Sequence, residues 1–397
     1  MIARYKYRFY PTDQQKHSLA KLFGCVRYVW NEALAHCHAV GKYLGYNHLS
    51  SRLTKLKESV QWLREVSSVA LQQSLRHLEE AYQKFFNKEG GAPQYKKRKT
   101  NQSATLMSNA FSLQGEGVYL AKIGVVKPIW SRPLPSKPSS VTVIKDSAER
   151  YFLSFVVEVE PEKIEAKSPS IGVDLGIKTF ATCSDGTKYH SPDYAPLYNR
   201  IAQLQKQLAR RVKGSNRWER TRLRIAKLHC RIDDMRTDFL HKLSTKLTNE
   251  NQVVVLEDLN VRGMLKNRKL SKAISRQGWR AFRNLCEAKA KKFQRELRIL
   301  DRWEATSQHC SKCGWHWGKL DLSTRMVVCD NCNTVHCRDE NAAKCIEQVG
   351  MGQALRATVG VRPTLKRTWR PFCAAGRRPC KTSLLASVCE ASRIPAL

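Results

Sequence analysis

Four cysteines fall as two C-x2-C pairs, Cys310 with Cys313 and Cys329 with Cys332, with fifteen residues between the pairs. Each pair lets two thiolates reach one ion from a tight turn, and two such turns complete a closed, tetrahedral, structural Zn2+ site. A redox pair or free thiols is the alternative. His309, His316 and His336 lie close by, but the thiolate set is already complete, so they read as surface or packing histidines. Cys337 and Cys345 are surplus, and Cys345 is expected to be a buried thiol. A second set is acidic. Asp174 interrupts the apolar strand IGVDLG, Glu257 ends the run VVVL, and Asp339 precedes the helical ENAAKC. An ionised carboxylate beside such strands is unfavourable unless paired, and a divalent cation is the best partner. Asp339 alone has a plainer reading as a helix N-cap. Together, acids from a first strand, a later buried strand and a helix N-terminus suit a two-metal phosphodiester cleavage site. There, hard oxygen ligands hold two Mg2+ ions about 4 Å apart that clamp the attacking water and the leaving oxygen. Asp174 is the expected bridging ligand. Glu257 is favoured over Asp258, which points to the opposite strand face.

The surrounding pattern supplies elements for these residues. In RYKYRF, alternation puts Arg4, Lys6 and Arg8 on one strand face and Tyr5, Tyr7 and Phe9 on the other. Thr12 and Gln15 form a capping box ahead of a helical stripe of Leu19, Leu22, Phe23, Val26, Val29, Trp30 and Leu34. Helices continue over 50–88, Gly90, Gly91 and Pro93 end them, and Lys96, Lys97, Arg98 and Lys99 form a basic loop. From 104 to 160 the pattern is β, with a hairpin of VTVIK and YFLSFVVEVE around DSAER. IGVDLG, TFATCS and TKYHS read as successive strands, followed by two basic helices, roughly 196–212 and 217–248, joined at Lys213, Gly214, Ser215 and Asn216. NQVVVLE is a strand buried on both faces, and RILDRW a further strand. GVDLG also suits the phosphate turn of an actin-like ATPase, but no further Gly-rich phosphate loop accompanies it.

Charge points to the partner. Seventy basic residues oppose 34 acidic ones, a net +36 in 397 residues. That surplus is costly in self-repulsion unless a polyanion is the usual partner. No apolar run is long enough to span a bilayer, and MIARYKYRFYP does not read as a signal peptide, so a cytoplasmic nucleic-acid-binding protein is expected. Residues 350–397 hold nine Lys/Arg against Glu390 alone and four prolines, which reads as a disordered basic tail.

GVDLGIKTFATCSDG, VVVLEDLNVRGM and TSQHCSKCG…CDNC…RDENAA, in this order, resemble the TnpB (OrfB) family encoded by insertion sequences and similar to type V CRISPR effectors. The opening YKYRFYPTDQQKHSLAKLFGCVRYVWNEAL and the RPLPSKPSSVTVIKDSAERYFLSFVVEV hairpin extend the resemblance over nearly all of residues 1–348. It implies an α/β multidomain protein: a β wedge domain (1–10 and 101–165), an inserted helical recognition domain (11–100), an RNase H-like, RuvC-type nuclease with a mixed sheet (168–305 and 335–349) and a zinc ribbon (306–334). It implies an RNA-guided, Mg2+-dependent DNA endonuclease with a guide RNA and target DNA as partners. The family's catalytic positions fall on Asp174, Glu257 and Asp339, its zinc ligands on Cys310, Cys313, Cys329 and Cys332. Guide or heteroduplex contacts are expected on Arg4, Lys6, Arg8, Lys96, Lys97, Arg98, Arg210 and Arg211. Cys337 and Cys345 depart from the family's pattern, which puts local packing there in question. A catalytically silent nucleic-acid-binding regulator and a strand-joining transposase are the alternatives.

Overall fold

The structure, a computed structural model, describes residues 1–98, 101–321 and 323–353; Lys99 of the basic loop and the expected tail from 354 onward lie outside the described residues. Strand β1 (Ile2–Phe9) buries Tyr7 and Phe9 and exposes Arg4 and Lys6, as the alternation requires. The Thr12–Gln15 capping box then forms with both reciprocal bonds and opens α1 (Asp13–Val40), whose expected apolar stripe is buried throughout. Helices α2 (Tyr46–Ser59) and α3 (Ser68–Phe86) follow. Next come β2 (Gln102–Met107), β3 (Phe111–Gln114), β4 (Gly117–Leu120), β5 (Gly124–Val126), β6 (Ser140–Lys145) and β7 (Tyr151–Glu158).

These strands make an antiparallel sheet of order β1-β7-β6-β2 and a small sheet β3-β4-β5. The helices are therefore inserted between β1 and its sheet partners. They do not form a separate core: Leu19, Leu34, Leu71 and Leu78 belong to one apolar cluster with Leu153 and Phe155 of β7.

The second half holds β8 (Ser168–Leu175), β9 (Ala181–Cys183), β10 (Lys188–Tyr189), α4 (Ala195–Ala209), α5 (Asn216–Glu250), β11 (Asn251–Glu257), α6 (Val261–Met264), α7 (Ser271–Gln277), α8 (Trp279–Lys292) and β12 (Glu296–Leu300). Their sheet runs β10-β9-β8-β11-β12, with β8, β11 and β12 parallel and β9 and β10 antiparallel. The run NQVVVLE is apolar because β11 is covered twice. Val254 and Leu256 pack toward α5 and α8, and Val253 and Val255 pack on Ile346 of a last helix, α9 (Arg338–Gly350). RILDRW ends as a strand at Leu300 and turns at Asp301. A hairpin of β13 (Met326–Val328) and β14 (Val335–Cys337) leads into α9. No helix among the described residues is long and apolar enough to cross a membrane.

Candidate metal centres

Two neighbouring parallel strands carry the first two acids. Val173 of β8 pairs with Leu256 of β11, so the next residues, Asp174 and Glu257, leave their strands side by side at the C-terminal edge of the sheet. Asp339 arrives from the first turn of α9, which lies across the same sheet. The electrostatics register the meeting. Burial pushes the Asp174 carboxyl up to about 8, the negative charges of Glu257 and Asp339 add to this, and Arg338 opposes it. Burial also raises Glu257, against the hydrogen bond its Oε1 accepts from the Thr306 hydroxyl at 2.5 Å. Asp339 is gripped by Arg325, whose Nη1 lies 3.2 Å from Oδ2. The cap position of α9 belongs to Cys337, so Asp339 is not the N-cap. Asp258 turns away as expected and is held by Arg283 and Arg302, each at 2.6 Å, which keep it below the usual carboxylate range. Glu340 also turns aside, to Lys188 at 2.7 Å.

This trio fits divalent cations by the chemistry of its donors: three hard carboxylates, of which Asp174 is raised first by burial and then by the charges of the other two. It is an open set. Among the described residues, the group of His, Cys, Asp or Glu whose ligand atoms all lie within 4.8 Å of one another is the four cysteines Cys310, Cys313, Cys329 and Cys332. Sulfur separations of 3.7 Å (Cys310 to Cys332) and 3.5 Å (Cys313 to Cys329) match the edge of about 3.8 Å that a tetrahedron of 2.3 Å Zn–S bonds requires. The cysteine cluster fits structural zinc. His336 is buried, not at the surface, and its Nε2 lies 3.1 Å from the Cys310 sulfur, where it can donate to a thiolate.

The two centres are tied together by side chains of α9. Asn341 accepts from the Ser311 amide and donates to the His309 carbonyl, Cys345 donates to the same carbonyl, and Gln348 donates to the Ser311 carbonyl. Thr306, Arg325 and Asn341 are the residues sequence reasoning missed, although Thr306 opens the quoted TSQHCSKCG and Asn341 lies inside RDENAA; His336 was named there, but not its contact with Cys310.

The expected cationic residues differ in their surroundings. Lys6 sits 4.0 Å over the Phe152 ring, with Arg8 also above it at 5.3 Å, while Arg4 stays exposed. Lys96 lies 3.7 Å over Trp30, and burial pulls its ammonium down to about 8. Lys97 and Arg98 are exposed at the surface. Arg211 closes its own turn on Arg217 and Thr221, beside an exposed Arg210.

Residues 1–40 match a family described as "Helix-turn-helix domain", 154–268 one described as "Probable transposase" (OrfB of IS605), and 279–346 one described as "Cas12f1-like, TNB domain". A Streptomyces pristinaespiralis protein named "Putative RNA-guided DNA endonuclease" is 42% identical over 370 residues, covering 90% of this chain and 92% of its own. This chain belongs to the TnpB (OrfB) family. The Escherichia coli K12 protein "Putative RNA-guided DNA endonuclease InsQ" is 31% identical over 374 residues, with 88% of this chain and 92% of its own covered. A Cas12f1 chain solved with sgRNA and target DNA shares 14% identity and superposes with a TM-score of 0.53 over 87% of this chain and 98% of that one. The TnpB-family chain is thus a mixed α/β multidomain protein with the fold of the Cas12 effectors.

Proposed function

We propose that this chain is an insertion-sequence-associated, RNA-guided DNA endonuclease that cuts through one metal-dependent site. The observation that carries the reading is the convergence of Asp174, Glu257 and Asp339 at the ends of β8 and β11 and the start of α9. A five-stranded sheet of order β10-β9-β8-β11-β12, with acids on its two central parallel strands, is the arrangement an RNase H-like, RuvC-type nuclease needs. The residues 168–305 and 335–349 form that nuclease, 306–334 the zinc ribbon, 1–10 and 101–165 a wedge, and 11–100 the recognition helices.

Asp174, Glu257 and Asp339 would hold Mg2+ at this edge of the sheet. When bound, the ions supply Lewis-acid stabilisation and a more acidic attacking water. Thr306 orients Glu257, and Arg325 places positive charge beside Asp339 where a phosphate arrives. Base pairing with the guide reads the target, so the protein's excess of 36 positive charges is spent on backbones and shape. Arg4, Lys6, Arg8, Lys96, Lys97, Arg98, Arg210 and Arg211 are the proposed backbone contacts. The test is to purify the chain, sequence the RNA that accompanies it, and assay cutting of a matching target with Mg2+. A defined RNA, cutting of both strands and loss of cutting in Asp174→Ala are expected. Random RNA, or full cutting by Asp174→Ala, overturns the reading, and joined strands in place of cut ones point to a transposase.

A further inference from the structure

One short loop begins and ends at Glu257. Leu300 pairs with Glu257 in the β11–β12 register, and its carbonyl also accepts from the Asp258 amide at 3.1 Å. Six residues later, Thr306 donates to the Glu257 carboxylate. The loop is pinned on its flanks as well. Arg302 is fastened to Asp258 at 2.6 Å, and the Ala305 carbonyl is bonded to the His309 ring at 3.0 Å. Its turn is closed by the Asp301 side chain on the Trp303 amide and the Asp301 carbonyl on the Glu304 amide, both at 3.2 Å. Trp303 is the apex, and its residue is 84% exposed. No ring or cation is stacked on the indole among the described residues.

An exposed indole on a tethered turn offers a flat apolar face on which a base can stack. Chain reach fixes where it is. Three residues separate Trp303 from each anchor, at no more than about 3.6 Å each, so its backbone lies within about 11 Å of the segment that touches Glu257. At a rise of about 3.4 Å per nucleotide, that is within some three nucleotides of a phosphate held by the carboxylates. Arg283, Arg302 and Arg325 supply positive charge around the same edge.

We propose that Trp303 stacks on an unpaired base of the DNA strand being cut, next to the scissile phosphate. The inference rests on the nuclease reading above and extends it to how the strand is held. Stacking is the contact a guided nuclease can use at its cut site, because every base offers a π-face and no sequence is excluded. The indole brings a flat surface with little rotamer freedom to lose, and the pinned loop fixes its distance from Glu257. The strand is held by its phosphate at the carboxylates and by one base at Trp303.

The test uses the full chain with its copurifying RNA and a matching double-stranded target, cut under single-turnover conditions. An abasic position is stepped through the cut region. Trp303→Ala is expected to slow cutting about 5- to 100-fold, with target affinity and melting temperature unchanged, and Trp303→Phe to recover most of the rate. At one nucleotide the abasic site slows the wild type by the same factor and slows Trp303→Ala no further. Wild-type rates in Trp303→Ala, or equal abasic penalties in both proteins at every position, overturn the proposal. A wild-type complex that does not cut overturns the nuclease reading instead. In that event, stacking is read from a short single-stranded oligodeoxynucleotide bearing one 2-aminopurine, bound to the Asp174→Asn complex. Quenching lost on adding Trp303→Ala sustains it, and equal fluorescence in the two sinks it.

Discussion

The side-chain oxygen of Asn341 accepts the backbone amide of Ser311 at 2.9 Å, and its amide nitrogen donates to the His309 carbonyl at 2.6 Å. One buried side chain thereby fastens the first cysteine knuckle to α9, two residues beyond Asp339. The knuckle is thus bonded directly to the helix that carries Asp339. Asn341→Ala takes the Ser311 amide's partner away and leaves the His309 carbonyl to the Cys345 thiol alone, a cost of about 1–3 kcal/mol. Thermal unfolding should shift down accordingly. Cutting should slow by more than the loss of folded protein explains, while RNA binding holds. Unchanged cutting at a lowered melting temperature would show that the link is structural only.

Zinc removal should act through the same link. Without a cation the four sulfurs cannot all ionise at these separations: burial pushes Cys329 up to about 12, while hydrogen bonds centred on Thr334 outweigh burial and bring Cys332 down to about 6. Chelation, or Cys313→Ser, is expected to lower the melting temperature and abolish cutting even when Mg2+ is restored in excess. Metal analysis by mass spectrometry should return one zinc per wild-type chain and none in the chelated sample. Full cutting by zinc-free protein would contradict the coupling.

Asp174 is costly to keep ionised. Its carboxyl titrates near 8 in the folded chain and near 3.9 when unfolded. Between those values the folded state binds the extra proton, so the stability of Mg2+-free protein falls as pH rises and levels off above about 8. Asparagine has no such proton to lose. Asp174→Asn, with its zinc retained and Mg2+ absent, should therefore be more stable than the wild type at pH 8, by up to about 5 kcal/mol. The gap should close toward pH 4. Urea titrations across this range check it, and equal stabilities at pH 8 would show that the acid is not under strain.

The elements were legible where periodicity and punctuation agree. The Thr12–Gln15 box, the stripe from Leu19 to Leu34, the DSAER hairpin and the doubly covered VVVL all behave as their patterns require. So do the two cysteine pairs, because a shared ion constrains spacing. Asp174 and Glu257 drew notice because burial makes each costly alone, whereas Asp339 was joined to them by the order of the motifs and the family they resemble. What stayed hidden has no period. Thr306 on Glu257, Arg325 on Asp339 and Asn341 on Ser311 are single side chains acting across loops. Charge runs gave the sign of the partner and not the direction of each cation: Lys96 lies against Trp30, and Arg211 is spent on its own turn.

Gly172 offers the sharpest test of how the acids are spaced. It lies on β8 two residues before Asp174, and a Cβ there would stand 2.2 Å from the Ala343 carbonyl oxygen and 2.6 Å from the Glu347 nitrogen. Gly350 makes the matching approach on β11, where a Cβ would meet Val255 at 2.3 Å. Two bare backbones thus let α9 lie flat on the sheet and bring Asp339 down to Asp174 and Glu257. Helix backbone cannot yield as a flexible side chain does, so Gly172→Ala must lift α9, at about 1–3 kcal/mol of overpacking. The expected outcome is a folded, RNA-binding protein whose Mg2+ requirement for cutting rises several-fold. Saturating Mg2+ should recover part of the rate, because the ligands remain and only their separation changes. An unaltered Mg2+ midpoint in a protein that is destabilised would assign Gly172 to packing alone and separate the helix's seating from the metal site.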